Sequence, residues 1–205
     1  LKSLVSFLIA GALGGCLNTS PVGDSRRFFV IEPGPVPQAQ DSARDVVAVV
    51  GIKPVILPAY LRDKRIVVRS SATEIEYSET IRWGEPLDQG LMRATRSILD
   101  GTLENGLVIL APWSRGDVNF EVSIRFRACE VAADGMATVD AKWFCSDVKN
   151  PGSPVYGQAR LEKTGPMPSS DPEGAISILS KAIHELSFQI ADTVQTCIDR
   201  AKESP

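Results

Sequence analysis

The chain has 205 residues, 43% hydrophobic and 23% charged, with a net charge of −3. That composition belongs to a folded globular protein rather than a disordered or repetitive one. No basic block offsets the acidic balance, so no electrostatic attraction to nucleic acid is expected. No apolar run reaches the roughly 20 residues that span a bilayer as a helix.

The one long apolar stretch is LVSFLIAGALGG, residues 4–15. As a core helix it is weakened by Gly11, Gly14 and Gly15, each costing about 1 kcal/mol relative to Ala. As an export leader every part has a use: Lys2 is the positive start, Leu4 to Leu13 the apolar segment, Gly14-Gly15 the small-residue cleavage site. Residues 1–15 are therefore read as a signal peptide. Removing them takes away Lys2 alone, leaving 21 basic against 25 acidic residues, or −4. Leu13-Gly14-Gly15-Cys16 resembles the bacterial lipobox, which implies a diacylglyceryl group on the Cys16 thiol and cleavage just before it. Several acyl chains anchor a protein stably where a single one does not. Leu17 in place of Asp after that cysteine implies the outer membrane. Apart from this covalent lipid, no cofactor is expected.

Residues 16–44 read as the lipidated cysteine and a tether, polar from Asn18 to Arg27, with one short strand, FFVI, at 28–31 and the Pro-rich EPGPVPQAQDSARD behind it. Residues 45–205 read as a single domain. Val46 to Val50 is a continuous β-branched run, expected of a strand buried on both faces. RIVVR (65–69) and Glu74 to Tyr77 flank a turn and predict a hairpin. Pro86 to Leu103 predicts a helix, with Pro86 at its first position and Leu87, Leu91, Ala94, Ile98 and Thr102 on one stripe. Leu107 to Leu110 is a short strand.

Between Val118 and Cys145 apolar and polar residues alternate with a period of two, predicting a hairpin about Asp134-Gly135. Centring it there pairs Phe126 with Trp143, Ala128 with Ala141 and Ile124 with Cys145. Val155 to Leu161 extends the meander. Asp171 is the expected cap of a long helix from Pro172 to Ala201, whose stripe runs Ile176, Leu179, Ile183, Leu186, Ile190, Val194 and Cys197 or Ile198. The fold class is α+β: a mixed, mainly antiparallel sheet covered by two helices, a two-layer sandwich.

No catalytic motif stands out. His184 is the only histidine, and it reads as a solvated helix residue, with Ser180 and Ser187 on the helix surface; no G-x-S-x-G elbow accompanies them. With Cys16 assigned to lipid, Cys129, Cys145 and Cys197 remain, none in a C-x-x-C spacing, so no metal site is expected. The register puts Cys129 on the polar face and Cys145 on the apolar one, which excludes that pair. Cys145 and Cys197 both fall on core-facing stripes, leaving a disulfide or two buried thiols open.

VGIKPVILPAYLRDKRIVVRS (50–70) and RWGEPL (82–87), with Phe28-Phe29-Val30-Ile31 and the lipobox ahead of them, resemble the ABC-type transport auxiliary lipoproteins. They look closest to the PqiC group, the membrane-integrity-associated transporter subunits. The motif residues Pro58, Tyr60, Leu61, Arg82, Trp83, Glu85 and Pro86 carry structural roles in that likeness: the first three shape a turn, Trp83 packs beside it, and Glu85-Pro86 opens the helix. The resemblance implies a non-enzymatic periplasmic domain anchored in the outer membrane. Its partner would be an MCE-domain protein bridging the envelope and moving lipid, served by an inner-membrane permease and ATPase, and the subunit itself could assemble as a homo-oligomeric ring. Two other readings stand beside it: a carrier that binds lipid or a small ligand itself, and a structural or assembly lipoprotein.

Overall fold

The longest strand organises the molecule. In the computed structural model, which describes residues 26–36, 46–114 and 116–203, the alternating apolar run of the sequence becomes β6, Phe120–Ala132. The strands before it are β1 (Arg27–Phe29), β2 (Ala48–Ile52), β3 (Arg65–Arg69), β4 (Ile75–Trp83) and β5 (Gly106–Leu110). After it come β7 (Met136–Asp147) and β8 (Val155–Thr164). Helix α1 is Leu87–Thr102, helix α2 is Pro172–Glu203, and a 3-10 turn occupies Ala59–Arg62. The expected leader, Cys16 and most of the expected tether lie outside the described residues.

On one side β6 pairs with β7 over nearly its whole length, and β7 with β8, all antiparallel. On the other side β6 is shared. Its start runs parallel to β2, its middle takes a bridge from Ile56, and its end runs parallel to β3. From β2 the sheet continues to β5, and from β3 to β4 and then β1. The sheet is therefore mixed, its parallel pairings short and its long pairings antiparallel. Val50 and Ile52 are fully buried, as a strand flanked by β5 and β6 requires.

The expected β6–β7 register is wrong by two residues, for two separate reasons. The turn is a three-residue loop, Ala133 to Gly135, with Gly135 at φ +90° and its N–H donating to Ala132 O. A positive φ favours glycine, and such a loop shifts pairing by one residue relative to a two-residue turn. A bulge between Phe126 and Ala128 shifts it by one more. Phe126 thus faces Ala141, Ile124 faces Trp143 and Val122 faces Cys145. A shift of two keeps these residues on the core side. Beyond the bulge the phase of β6 inverts: Cys129 and Val131 turn inward, at 2% and 1% exposure. The placement of Cys129 on the polar face is overturned by that bulge.

Both helices cover one face of the sheet and pack on each other. Asp171 caps α2, accepting the Gly174 N–H at 2.9 Å, with Pro172 in the first position. The expected stripe from Ile176 to Ile198 is buried throughout. Each such Leu or Ile contributes about 1.5–3 kcal/mol on burial. Helix α1 starts one residue later than expected. Pro86 is its cap, and the Pro86 carbonyl accepts Gln89 N–H and Gly90 N–H. Thr95 and Ser187 meet at the contact between the helices. Among the described residues no helix is long and apolar enough to cross a membrane.

Candidate functional site

Arg82, Trp83 and Glu85 form a joint with the N-terminal segment at the junction of β4 and α1, while Pro58, Tyr60 and Leu61 lie on a turn packed against α1 and β3. Leu61 is 3% exposed, and its N–H bonds to Pro58 O, closing the 3-10 turn. Tyr60 sits on the outside of that turn, its carbonyl accepting the Tyr77 hydroxyl at 3.3 Å. Burial, reinforced by the Glu130 carboxylate, pushes the Tyr60 phenol up to about 12. Glu130 is itself buried and paired with Arg69. Trp83 is buried at the end of β4, its N–H donating to Lys64 O at 2.7 Å. Arg82 lies beside it, opposite Phe28 and Arg65, with a buried Nε that has no hydrogen-bond partner.

Strand β1 has three residues and one neighbour, so by itself it is marginal. The joint supplies what it lacks. The Gly84 N–H donates to Phe29 O, Glu85 holds Arg93, and Arg93 donates to Ile31 O at 2.8 Å. Beyond Ile31, which is 1% exposed, the chain crosses the helical layer. Glu32 N–H donates to Ser180 Oγ at 3.3 Å, and His184 Nδ1–H donates to Pro33 O at 2.9 Å. Because a carbonyl only accepts, the His184 proton is on Nδ1 in this contact. Gly34, at φ +73°, passes so close that a Cβ there would lie 2.6 Å from that ring nitrogen.

His184 is thus not the solvated residue expected from sequence. It latches the incoming segment, and its ring lies 4.9 Å from that of Phe188, inclined at 58°. Ser180 and Ser187 are likewise not surface residues: they are 6% and 0% exposed, and Ser187 donates back to Ile183 O. No sequence signal joined Ser180 and His184 to Glu32 and Pro33, because the contacts span about 150 positions.

All three described cysteines are buried free thiols. Burial pushes Cys129 up to about 12. Cys129 pairs with Val139, six residues along β7 from Cys145. At about 3.3 Å per residue that is roughly 20 Å, far beyond disulfide reach. The Cys129–Cys145 exclusion stands, but because of distance rather than opposite faces. Cys145 and Cys197 instead meet between β7 and α2. The neighbouring Cys197 thiol and burial hold Cys145 far above the ordinary thiol range, while the Cys145 thiol beside it lowers Cys197. Among the described residues no group of three His, Cys, Asp or Glu side chains could hold a metal ion.

The face of the sheet turned away from the helices carries a groove of about 890 Å³ over β6, β7 and β8. Ile56, Phe144 and Tyr156 supply its apolar wall, and Lys53, Arg125 and Lys142 its charges. Tyr156 is 73% exposed and its ring lies 5.8 Å from that of Phe144. The sequence identified Arg125 and Lys142 as polar positions of an alternation; only the register shows that they are neighbours.

Fold and joint define a class: a two-layer α+β domain whose N-terminal segment is fastened across both helices by Arg93, Ser180 and His184. The model of the ABC-type transport auxiliary lipoprotein component family matches residues 29–191, from β1 into the middle of α2. The chain belongs to that family. Among solved structures, a Xanthomonas campestris protein of the DUF330 family is similar over 87% of this chain and 99% of its own, at TM-score 0.71 and 11% identity. An uncharacterised protein is similar over 82% and 97%, at TM-score 0.64 and 16% identity. A PelC dodecamer from Paraburkholderia phytofirmans gives a weaker likeness, TM-score 0.42 at 19% identity, over 75% of this chain and 96% of its own. No curated protein matches the sequence. A family of transport auxiliary components is not a family of enzymes, and its members are lipoproteins of the cell envelope.

Proposed function

We propose that this chain is the lipid-anchored adaptor of an envelope lipid transporter. Cys16 carries the lipid in the outer membrane. The domain holds an MCE-domain protein that bridges the envelope to an inner-membrane permease and ATPase, and several copies gather as a ring. The observation that carries this reading is the family match over most of the two-layer domain, Phe29 to Ala191. The joint supports it, because it fixes the exit of the tether to the sheet and both helices, as a subunit held by one end requires.

The test is affinity capture of the full chain from membranes, with a Cys16→Ser form fractionated in parallel. Wild type is expected in the outer membrane with an MCE-domain protein bound, in a defined oligomer by native mass spectrometry. The Cys16→Ser form is expected free in the periplasm. Membrane retention of Cys16→Ser, or capture without any MCE-domain protein, overturns the reading.

A further inference from the structure

The strand registers order the side chains of the open face into rows. In one row Ile56 neighbours Arg125, Arg125 lies opposite Lys142, and Lys142 opposite Gln158. The next row holds Ser123, Phe144 and Tyr156. On the other side, Arg127 and Arg160 share Asp140, at 2.6 and 3.7 Å, so that carboxylate is already neutralised. Lys53 is held by Glu121 at 2.6 Å. Arg125 and Lys142 are left without an ion pair among the described residues, on a chain whose overall charge is negative.

Like charges directly opposite on neighbouring strands destabilise a sheet. An anion seated between Arg125 and Lys142 removes that repulsion, and a guanidinium beside an ammonium suits a phosphate oxygen pair. The exposed wall of Ile56, Phe144 and Tyr156 gives a small soluble anion nothing to bury, but suits an acyl chain. β6 and β7 are hydrogen-bonded on both flanks along this stretch, so the floor of the groove offers an extended peptide no backbone to pair with; among the described residues the free edge at the margin of the groove is that of β8. A volume near 890 Å³ falls within the usual range for small-molecule sites.

We propose that this groove binds a phospholipid, its phosphodiester between Arg125 and Lys142 and an acyl chain along Ile56, Phe144 and Tyr156. The choice of a membrane lipid over another anionic amphiphile rests on the transport reading above; the charge and wall of the groove do not.

The experiment titrates the Cys16→Ser chain with dihexanoyl-phosphatidylglycerol below its micelle concentration, by calorimetry, with inorganic phosphate in parallel. Saturable lipid binding is expected, weakened about tenfold by each of Arg125→Gln and Lys142→Gln, and reduced by Tyr156→Ala. Either charge substitution also raises the melting temperature of the lipid-free protein, because it removes the repulsion. Absence of saturable binding, or binding that both charge variants leave unchanged, overturns the proposal. Phosphate binding as tightly as lipid also overturns it, since the site would then serve an anion alone. Capture of the MCE-domain partner by the same variants separates the two readings. Lost lipid binding in wild type with intact capture ends this inference only; intact lipid binding with no capture ends the adaptor reading only.

Discussion

Gly157 on β8 gives the sharpest stability test, because its neighbour leaves no room for a methyl group. A Cβ at that position would lie 2.3, 2.4 and 2.5 Å from Cε2, Nε1 and Cζ2 of Trp143, against about 3.5–4.0 Å for a relaxed carbon contact. The indole must retreat by about 1 Å. Trp143 is 4% exposed and its Nε1–H donates to Thr193 Oγ1 on α2 at 2.9 Å, so retreat strains the packing and the bond together. Overpacking of this kind costs about 1–3 kcal/mol, and a lost neutral hydrogen bond about 1 kcal/mol. The smaller unfolded-state entropy of alanine returns about 0.4–1 kcal/mol. Gly157→Ala is therefore expected to lose about 2 kcal/mol, or about 4–8 °C in melting temperature for a domain of this size. Urea unfolding followed by circular dichroism reads it. Gly152→Ala, where a Cβ meets nothing within 4 Å, serves as the control. Trp143→Phe removes the fused ring that clashes, so the double variant should show a coupling of about 1 kcal/mol or more. Equal stability of the two alanine variants, or strict additivity in the cycle, would refute the packing argument.

Removing the α2 cap by Asp171→Ala should cost about 1 kcal/mol, with Asp171→Asn retaining most of it, by thermal melting; equal losses would show that the Oδ1 bond to Gly174 contributes nothing. Iodoacetamide at pH 8 should leave Cys129 unlabelled until the protein is denatured, because burial raises its pKa to about 12 and leaves almost no thiolate. Oxidised glutathione should join Cys145 to Cys197 and never to Cys129, read by peptide mass spectrometry; rapid native labelling or a bridge at Cys129 would contradict its core-facing position. Hydrogen bonds from Arg65 hold the Asp63 carboxyl at about 2, below its unfolded value. The stabilisation is therefore present above about pH 4 and lost as pH falls toward 2. Asp63→Asn should flatten that limb of the urea midpoint against pH, and an unchanged limb would count against the contact.

Most elements were legible because their signals are local. The α2 stripe, the Asp171-Pro172 start and the alternation of Val118 to Phe126 each lie within a few turns of chain, and each formed where expected. The β6–β7 register was not legible from the Asp134-Gly135 signal alone, since that dipeptide suits a two-residue or a three-residue loop. The bulge did leave a trace. After Phe126 the apolar residues move to Cys129 and Val131 while Glu130 turns polar, which is a change of phase. Read as a bulge, that change places Cys129 in the core. The joint was half visible: Trp83, Glu85 and Pro86 carried the family likeness, but Arg93, Ser180 and His184 carry none. Their roles depend on residues 31–34 crossing two helices, a contact that no period or motif encodes. Arg125 and Lys142 show the same limit, being ordinary polar positions until the register sets them side by side.

The proposed anchor and the proposed lipid groove place geometric demands on the same chain, and the lengths are compatible. The proposed tether between Cys16 and β1 holds ten residues, 17–26, which reach at most about 33–36 Å. From β1 the sheet runs through β4, β3 and β6 to β7, four steps of about 4.8 Å or roughly 19 Å. The groove therefore lies closer to the entry strand than the tether is long. Residues 31–33 are fastened on the helical side, so this segment does not cover the open face. A domain held at Cys16 can therefore turn that face toward the bilayer without straining the joint, and a tether much shorter than the breadth of the sheet could not allow it.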